Sequence, residues 1–291
     1  MHYTGQIYRP PAEAANPLLQ VTSGCSHNGC KFCDMFKGQQ FRMSPLKEIE
    51  EDLEEIRIYR PNTHRIYLTG GDPFVLSYEK MKTVLIKIHQ ALPQIQTVTM
   101  TARVSNMKNK SVEQLKELHE LGIDDLWLGA ESGDNETLEL VNKKLTAEEI
   151  VTQCRKLEDA GIRYTLSYIV GLGGRELSIQ NALNSAKTYS QLKPTVIGMG
   201  GLMLFQDSIL YKESLEGKFE PCSELELLKE IKVFLQNLDT QTHVSVNHTS
   251  PIFVEGDFPN DKKIILDKIN YAIKHFDEKQ QNRNRAIPHI Q

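Results

Sequence analysis

Three of the chain's five cysteines fall within GCSHNGCKFCDMF, Gly24 to Phe36, at the spacing C-x4-C-x2-C. Thiolates this close together are soft ligands, and they select zinc or an iron–sulfur cluster over hard cations. A closed zinc site needs a fourth ligand, which His27 could supply as Cys3His. Three thiolates also suit a [4Fe–4S] cluster that leaves one iron open, much as a catalytic zinc keeps an open position. The other two cysteines stand apart. Cys154 lies in IVTQCRKLEDAG and reads as a buried core thiol; Cys222, just before a late helix, carries no signal.

Such a loop needs a frame. PLLQVT (Pro17–Thr22) reads as a strand that runs into Gly24 and the cysteines, after a Pro-rich extended arm. SPLKEIEEDLEEIRIYRP has apolar residues near helical spacing, with Ser44 as its cap and Pro45 at the first helical position. Strands are expected at Arg65–Gly71, Thr97–Ala102, Asp125–Ala130, Tyr164–Gly171 and Thr195–Phe205. Helices are expected at Tyr78–Ala91, Ser111–Leu121, Asn135–Asn142, Ala147–Ala160, Ser178–Leu192 and near Ser223–Leu238. Strands apolar almost throughout and separated by helices are parallel strands buried on both faces. The fold class is α/β, a partial (β/α)6 TIM-like barrel with an N-terminal arm and a C-terminal extension. No composition shift divides the chain, so a single domain over 1–291 is expected, with its core over about 18–238. Ligands in such folds gather at the carboxyl ends of the strands. The cysteines, GGDP (Gly70–Pro73), Glu131 and Gly171 all follow strands.

A composition of 40% apolar and 25% charged residues is ordinary for a globular protein, and a formal net charge of −4 argues against a nucleic-acid surface. No apolar run approaches the roughly 20 residues of a membrane helix, and the opening MHYTGQIYRPPAEAANP has no leader pattern. A cytoplasmic protein is expected. An odd cysteine count speaks for metal or redox chemistry over a disulfide framework.

With these motifs in this order, the chain resembles the radical S-adenosylmethionine (SAM) superfamily. Within it the resemblance is to the branch of oxygen-independent coproporphyrinogen oxidase, the methylthiotransferases and the Elongator catalytic subunit. It covers roughly Leu18 to Leu238. The superfamily's usual spacing is C-x3-C-x2-C, so SHNG carries one extra residue here. The resemblance implies that Cys25, Cys30 and Cys33 hold a [4Fe–4S] cluster whose open iron is chelated by SAM. It implies that Phe32 packs a ring near the adenine. It further implies that the backbone of Gly70 and Gly71 meets the methionyl ammonium, since only glycine lets the main chain come so close, and that Asp72 can add a carboxylate opposite that amine. In GAESGDNETLELVNKK, the resemblance implies that Glu131 contacts the ribose and that Lys143, with Lys144 as the alternative, meets the methionyl carboxylate as a point charge. In SYIVGLGG, Ser167 stands at a ribose-contacting position and Ile169 and Val170 give the adenine an apolar wall. Taken alone, each motif has a plainer reading: strand-ending glycines, a helix cap at Ser132 or Asp134, a surface acid.

The implied reaction is reductive cleavage of SAM to methionine and a 5′-deoxyadenosyl radical that abstracts hydrogen from a substrate. An electron donor such as flavodoxin or ferredoxin is implied with it. No further cysteine cluster stands ready for an auxiliary centre, and no segment is set aside for cobalamin or for tRNA. A small molecule or a peptide is therefore the expected substrate. Arg103, after its strand, could pair a substrate or SAM carboxylate. His248 in HVSVNHTSP could act as an acid, a base or a substrate contact, or serve only as structure. Two readings from other classes stay open: an iron–sulfur electron carrier or sensor, and a SAM-binding barrel without turnover.

Overall fold

A computed structural model describes residues 1–247 and 251–276. His248 lies outside them. In chain order the elements are β1 (Leu18–Gln20), β2 (Thr22–Ser23), β3 (Arg42–Met43), α1 (Leu46–Tyr59), β4 (Arg65–Thr69), α2 (Tyr78–Ala91), β5 (Thr97–Arg103), α3 (Val112–Glu120), β6 (Leu126–Glu131), α4 (Asn135–Leu140) and α5 (Ala147–Asp159). They continue with β7 (Tyr164–Val170), α6 (Gly174–Tyr189), β8 (Val196–Gly201), α7 (Ile209–Leu215), α8 (Glu224–Asn237), β9 (Thr242–Val246), β10 (Val254–Phe258) and α9 (Lys262–Lys274). The alternation is that of a partial (β/α)6 barrel, as the sequence implies. Two compact units emerge, Met1–Ala130 with Glu148–Leu166 and Glu131–Ala147 with Ser167–Gln291. Among the described residues no helix is long and apolar enough to cross a membrane.

In the first unit β1, β4 and β5 pair in parallel, with Leu18 opposite Tyr67 and Leu68 opposite Met100. β5 continues in parallel onto β6, Thr101 opposite Trp127. Leu19, Ile66, Leu68, Val98 and Met100 are fully buried, as parallel strands covered on both faces require. Helices α1 and α2 bury Ile49, Leu53 and Ile56, and Met81, Val84, Leu85 and Ile88, stripes at three- and four-residue spacing. Helix α1 departs from expectation at its start. Pro45 is extended at the N-cap with no side-chain cap, and the Ser44 amide instead donates to Val21 O at 3.0 Å. The N-terminal arm is anchored by Glu13, 2% exposed, whose carboxylate accepts from Arg65 at 2.5 Å and from the Trp127 indole at 3.2 Å.

In the second unit β8 pairs in parallel with β9, Val196 opposite His243, and β10 closes antiparallel on β9, Val254 opposite Val246. Helix α6 begins at Gly174, not at Ser178 as its sequence suggests. The glycines of GLGG make the turn and the first helical residue, and Ser178 is drawn inside the helix by a buried acid on α8. That acid is Glu230, fully buried. Its Oε1 accepts from the Tyr168 hydroxyl at 2.7 Å, the Gly171 amide at 3.0 Å and Asn181 at 3.1 Å, and its Oε2 accepts from Ser178 at 2.5 Å. The Tyr168 ring stacks on Phe234 at 4.4 Å, with Tyr189 edge-on to both.

Burial pushes the Glu230 carboxyl above the usual 4.5, although its four donors pull the other way. The native state therefore holds this proton more tightly than the unfolded chain does. Its contribution is whole below about pH 4.5 and is lost as pH rises through the native value. Glu230→Gln keeps one oxygen for the three donors and turns its amide to Ser178, so it should unfold close to wild type and lack this pH-linked loss. Glu230→Ala strands four buried donors and should cost roughly 3 kcal/mol or more. Denaturant melts of the three proteins between pH 4 and pH 8 check both expectations.

Candidate functional site

The cysteine loop leaves β2 and returns as β3, and the two strands pair antiparallel, Thr22 opposite Met43 and Ser23 opposite Arg42. A short ladder thus closes the loop at its base. None of the five cysteines is in a disulfide; Cys25, Cys30 and Cys33 are half-buried, whereas Cys154 and Cys222 are buried. Burial pushes the Cys222 thiol up to about 12 and the Cys154 thiol above its ordinary range, the condition of inert cysteines. Inside the loop Asn28 takes a left-handed backbone (φ 44). Its amide donates to Phe36 O at 2.7 Å and Lys37 donates to its carbonyl at 3.0 Å. Tyr8 of the arm packs edge-on to Phe36 at 5.4 Å. Among the described residues no three His, Cys, Asp or Glu side chains gather around one metal ion.

GGDP follows β4 and presses against the start of this loop. Gly70 has φ +140, and a Cβ there would collide with the Thr22 hydroxyl and carbonyl. At Gly71 a Cβ would stand 2.5 Å from Gly24 O and 2.6 Å from Cys25 Cα, while its amide donates to Gly24 O at 2.9 Å. Both positions therefore require glycine. The Thr22 hydroxyl beside them is buried and has no hydrogen-bond partner among the described residues. Asp72 is fully buried. Its carboxylate accepts from the Ser26 amide at 2.8 Å, from the Ser26 hydroxyl, and from Asn106 at 3.2 Å. Asn106 is set by the Arg103 amide, which donates to its Oδ1 at 2.8 Å. Arg103 itself is half-exposed at the end of β5. Buried Lys110 donates to Phe74 O at 2.8 Å and to Asn106 O at 3.3 Å, and burial brings its ammonium down to about 8. Phe32 is half-exposed.

In the second unit Glu131 ends β6 with a left-handed backbone, φ +71, a conformation that costs a non-glycine residue about 1–2 kcal/mol. Its side chain has two supports. Lys143 lies 3.1 Å from Oε1, with side-chain exposures of 6% for Lys143 and 15% for Glu131. The Ser167 hydroxyl donates to Oε2 at 2.6 Å. Lys143 is brought there by α4, which Asp134 caps through the Thr137 amide at 2.9 Å, and by its own amide on Leu138 O at 2.9 Å. Lys144 is exposed, so of the two lysines only Lys143 meets Glu131. Ile169 shares the half-exposed face of β7 with Ser167, whose carbonyl accepts from Tyr189 at 2.7 Å.

Glu131, Lys143 and Ser167 thus form one bonded group, and the cysteines and GGDP another. Sequence reasoning missed Ser26, Asn106, Lys110 and Glu230. None has a local signal, because each acquires its meaning from a partner distant in sequence. The donor set fits the implied cluster: three unbridged, half-exposed thiols on a loop closed at its base, with a glycine cradle against the first of them.

The sequence model described as the Radical SAM superfamily matches residues 19–186. The heme chaperone HemW of Bacillus subtilis is 26% identical over 170 residues, 56% of this chain and 44% of that protein. The chain spans about half the length of the HemW sequences that it matches, 44% and 52%. Among solved structures, the radical SAM methyltransferase TsrM from Kitasatospora setae, with cobalamin and a [4Fe–4S] cluster bound, superposes with a TM-score of 0.58 at 17% identity, over 69% of this chain and 37% of that one. Coproporphyrinogen III oxidase HemN of Escherichia coli gives 0.54 at 17% identity, over 76% and 52%. These likenesses are of fold.

The Glu131–Lys143 pair should behave as a coupled unit. Lys143→Met leaves a largely buried carboxylate without its cation and should cost roughly 3 kcal/mol, whereas adding Glu131→Gln should recover part of that loss. A double-mutant cycle read by denaturant unfolding measures the coupling.

Proposed function

The chain belongs to the radical SAM superfamily, and on that premise we propose that it is an enzyme that holds a [4Fe–4S] cluster on Cys25, Cys30 and Cys33 and binds SAM at the open iron. The observation that carries this reading is the cysteine loop: three unbridged, half-exposed thiols in the matched segment, with Gly71 packed against the first of them. When bound, the cluster supplies the electron that cleaves SAM to methionine and a 5′-deoxyadenosyl radical, which takes hydrogen from a small molecule or a peptide.

The chain's own residues bind, orient and shield. In the first unit, the Gly70–Gly71 backbone meets the methionyl ammonium and Phe32 flanks the adenine. Arg103 offers a cation to a carboxylate of SAM or of the substrate. In the second unit, Glu131 accepts from the ribose hydroxyls, held in place by Lys143 and Ser167. Lys143 also meets the methionyl carboxylate, and Ile169 gives the adenine an apolar wall that keeps water out. His248 is the candidate acid or base on the substrate side. A flavodoxin or ferredoxin delivers the electron, and the compartment is the cytoplasm. A second reading follows from the HemW match: a chain that carries haem and does not turn over a substrate.

Anaerobic reconstitution tests the first reading. Wild type should take up about four irons per chain. Cys25→Ala, Cys30→Ala and Cys33→Ala should each lose the cluster, and Cys154→Ala and Cys222→Ala should keep it. The reduced wild-type protein should form 5′-deoxyadenosine from SAM. Zinc without iron would overturn the assignment. Stoichiometric haem uptake with a Soret band and no 5′-deoxyadenosine would favour the carrier.

A further inference from the structure

We infer that Asp72 is a positioning residue of the cluster loop: it acts on Cys25 through Ser26 and does not stand as a ligand for the SAM ammonium. The inference deepens the proposed function and rests on its assignment of Cys25 to the cluster. Asp72 has no exposed surface, and three donors already converge on its two oxygens: the Ser26 amide, the Ser26 hydroxyl and the Asn106 amide. A ligand ammonium would have to displace one of these donors inside a closed site. Ser26 follows Cys25 directly and opens the SHNG segment, the stretch that is one residue longer than the superfamily's usual spacing.

The loop is pinned on both sides of the first cysteine. Upstream, Gly24 O accepts from the Gly71 amide, and behind Ser26 stands the Asp72 carboxylate. Downstream, the left-handed Asn28 is tied to Phe36 O and to Lys37. The anchor is itself anchored. Asn106 is fixed by the Arg103 amide, and the Lys110 ammonium binds Asn106 O and Phe74 O together, joining the turn after β4 to the turn after β5. A carboxylate that bonds a ligand's neighbour in this way sets the ligand's direction, and loss of such support typically costs about 10- to 100-fold in metal affinity.

Asp72→Asn keeps the shape but offers one oxygen to three donors, so one donor faces another. The first measurements use the metal-free protein. Hydrogen exchange at the Ser26 amide and alkylation of Cys25 by iodoacetamide, both read by mass spectrometry, should each speed up about tenfold. Cys154 and Cys222 should stay protected, which shows that the fold is intact. Ser26→Ala, which removes only the hydroxyl, should move both readouts in the same direction by less. After anaerobic reconstitution, Asp72→Asn should hold iron about 10- to 100-fold more weakly against a chelator, while SAM affinity per assembled cluster stays at the wild-type value. Unchanged exchange and alkylation, or wild-type iron retention with weakened SAM binding, would overturn the inference and return Asp72 to the SAM amine. If wild type takes up no iron, the cluster reading fails, and the metal-free measurements still decide whether Asp72 holds the loop.

Discussion

The contact on which the first unit's site depends is the approach of one backbone to another, Gly71 to Gly24 and Cys25. A Cβ on Gly71 would stand 2.5 Å from Gly24 O and 2.6 Å from Cys25 Cα, so there is no room for even one methyl group. A strand end and a neighbouring loop would ordinarily be kept apart by their side chains. Here the missing Cβ lets the β4 turn act as a floor for the loop, with a main-chain bond at 2.9 Å between them. The carboxylate of Asp72 becomes useful only because this floor has brought it within reach of Ser26.

The second unit solves a related problem with charge. Two of its carboxylates, Glu131 at the end of β6 and Glu230 on α8, are handled oppositely. Glu131 is given a cation and a hydroxyl and keeps some exposure, the state of a group that can still receive a ligand's donors. Glu230 is given four neutral donors and no exposure, and burial favours its protonated form. One keeps part of its surface, the other is structural mortar beneath the Gly171 turn.

How much of this was legible before the structure depended on the range of the signal. Strands β4 to β8 and helices α2, α3, α5 and α8 carry apolar runs or periods, α2, α3 and α8 add Ser caps, and all lie within a few residues of expectation. Helix α6 starts earlier than its periodicity suggests because Gly173 caps it and Gly174 is its first residue, and glycines advertise a bend and hide the helix that follows. The start of α1 slipped by one residue because Ser44 spends its amide on Val21. Helix α7 is too short to show a period, and β10 alternates buried Val254 and Phe258 with exposed charges. Helix α9 buries Ile265 and Ile269 one turn apart, a period that its sequence does carry. Among the candidate residues of each unit, the cysteines and glycines of the first and Glu131 of the second announce themselves by type and spacing. Ser26, Asn106 and Lys110 do not, since a hydrogen bond across tens of residues leaves no trace in either local sequence.

The ladder between β2 and β3 also bears on how such a loop can vary. Because Thr22 opposite Met43 and Ser23 opposite Arg42 close the segment at its neck, its contour is decoupled from the register of the parallel strands. A residue gained or lost between the first two cysteines changes the path of the loop and leaves β1 and α1 where they were. The neck turns the segment into a cassette, so drift in cysteine spacing can be accommodated locally while the scaffold beneath it keeps its geometry.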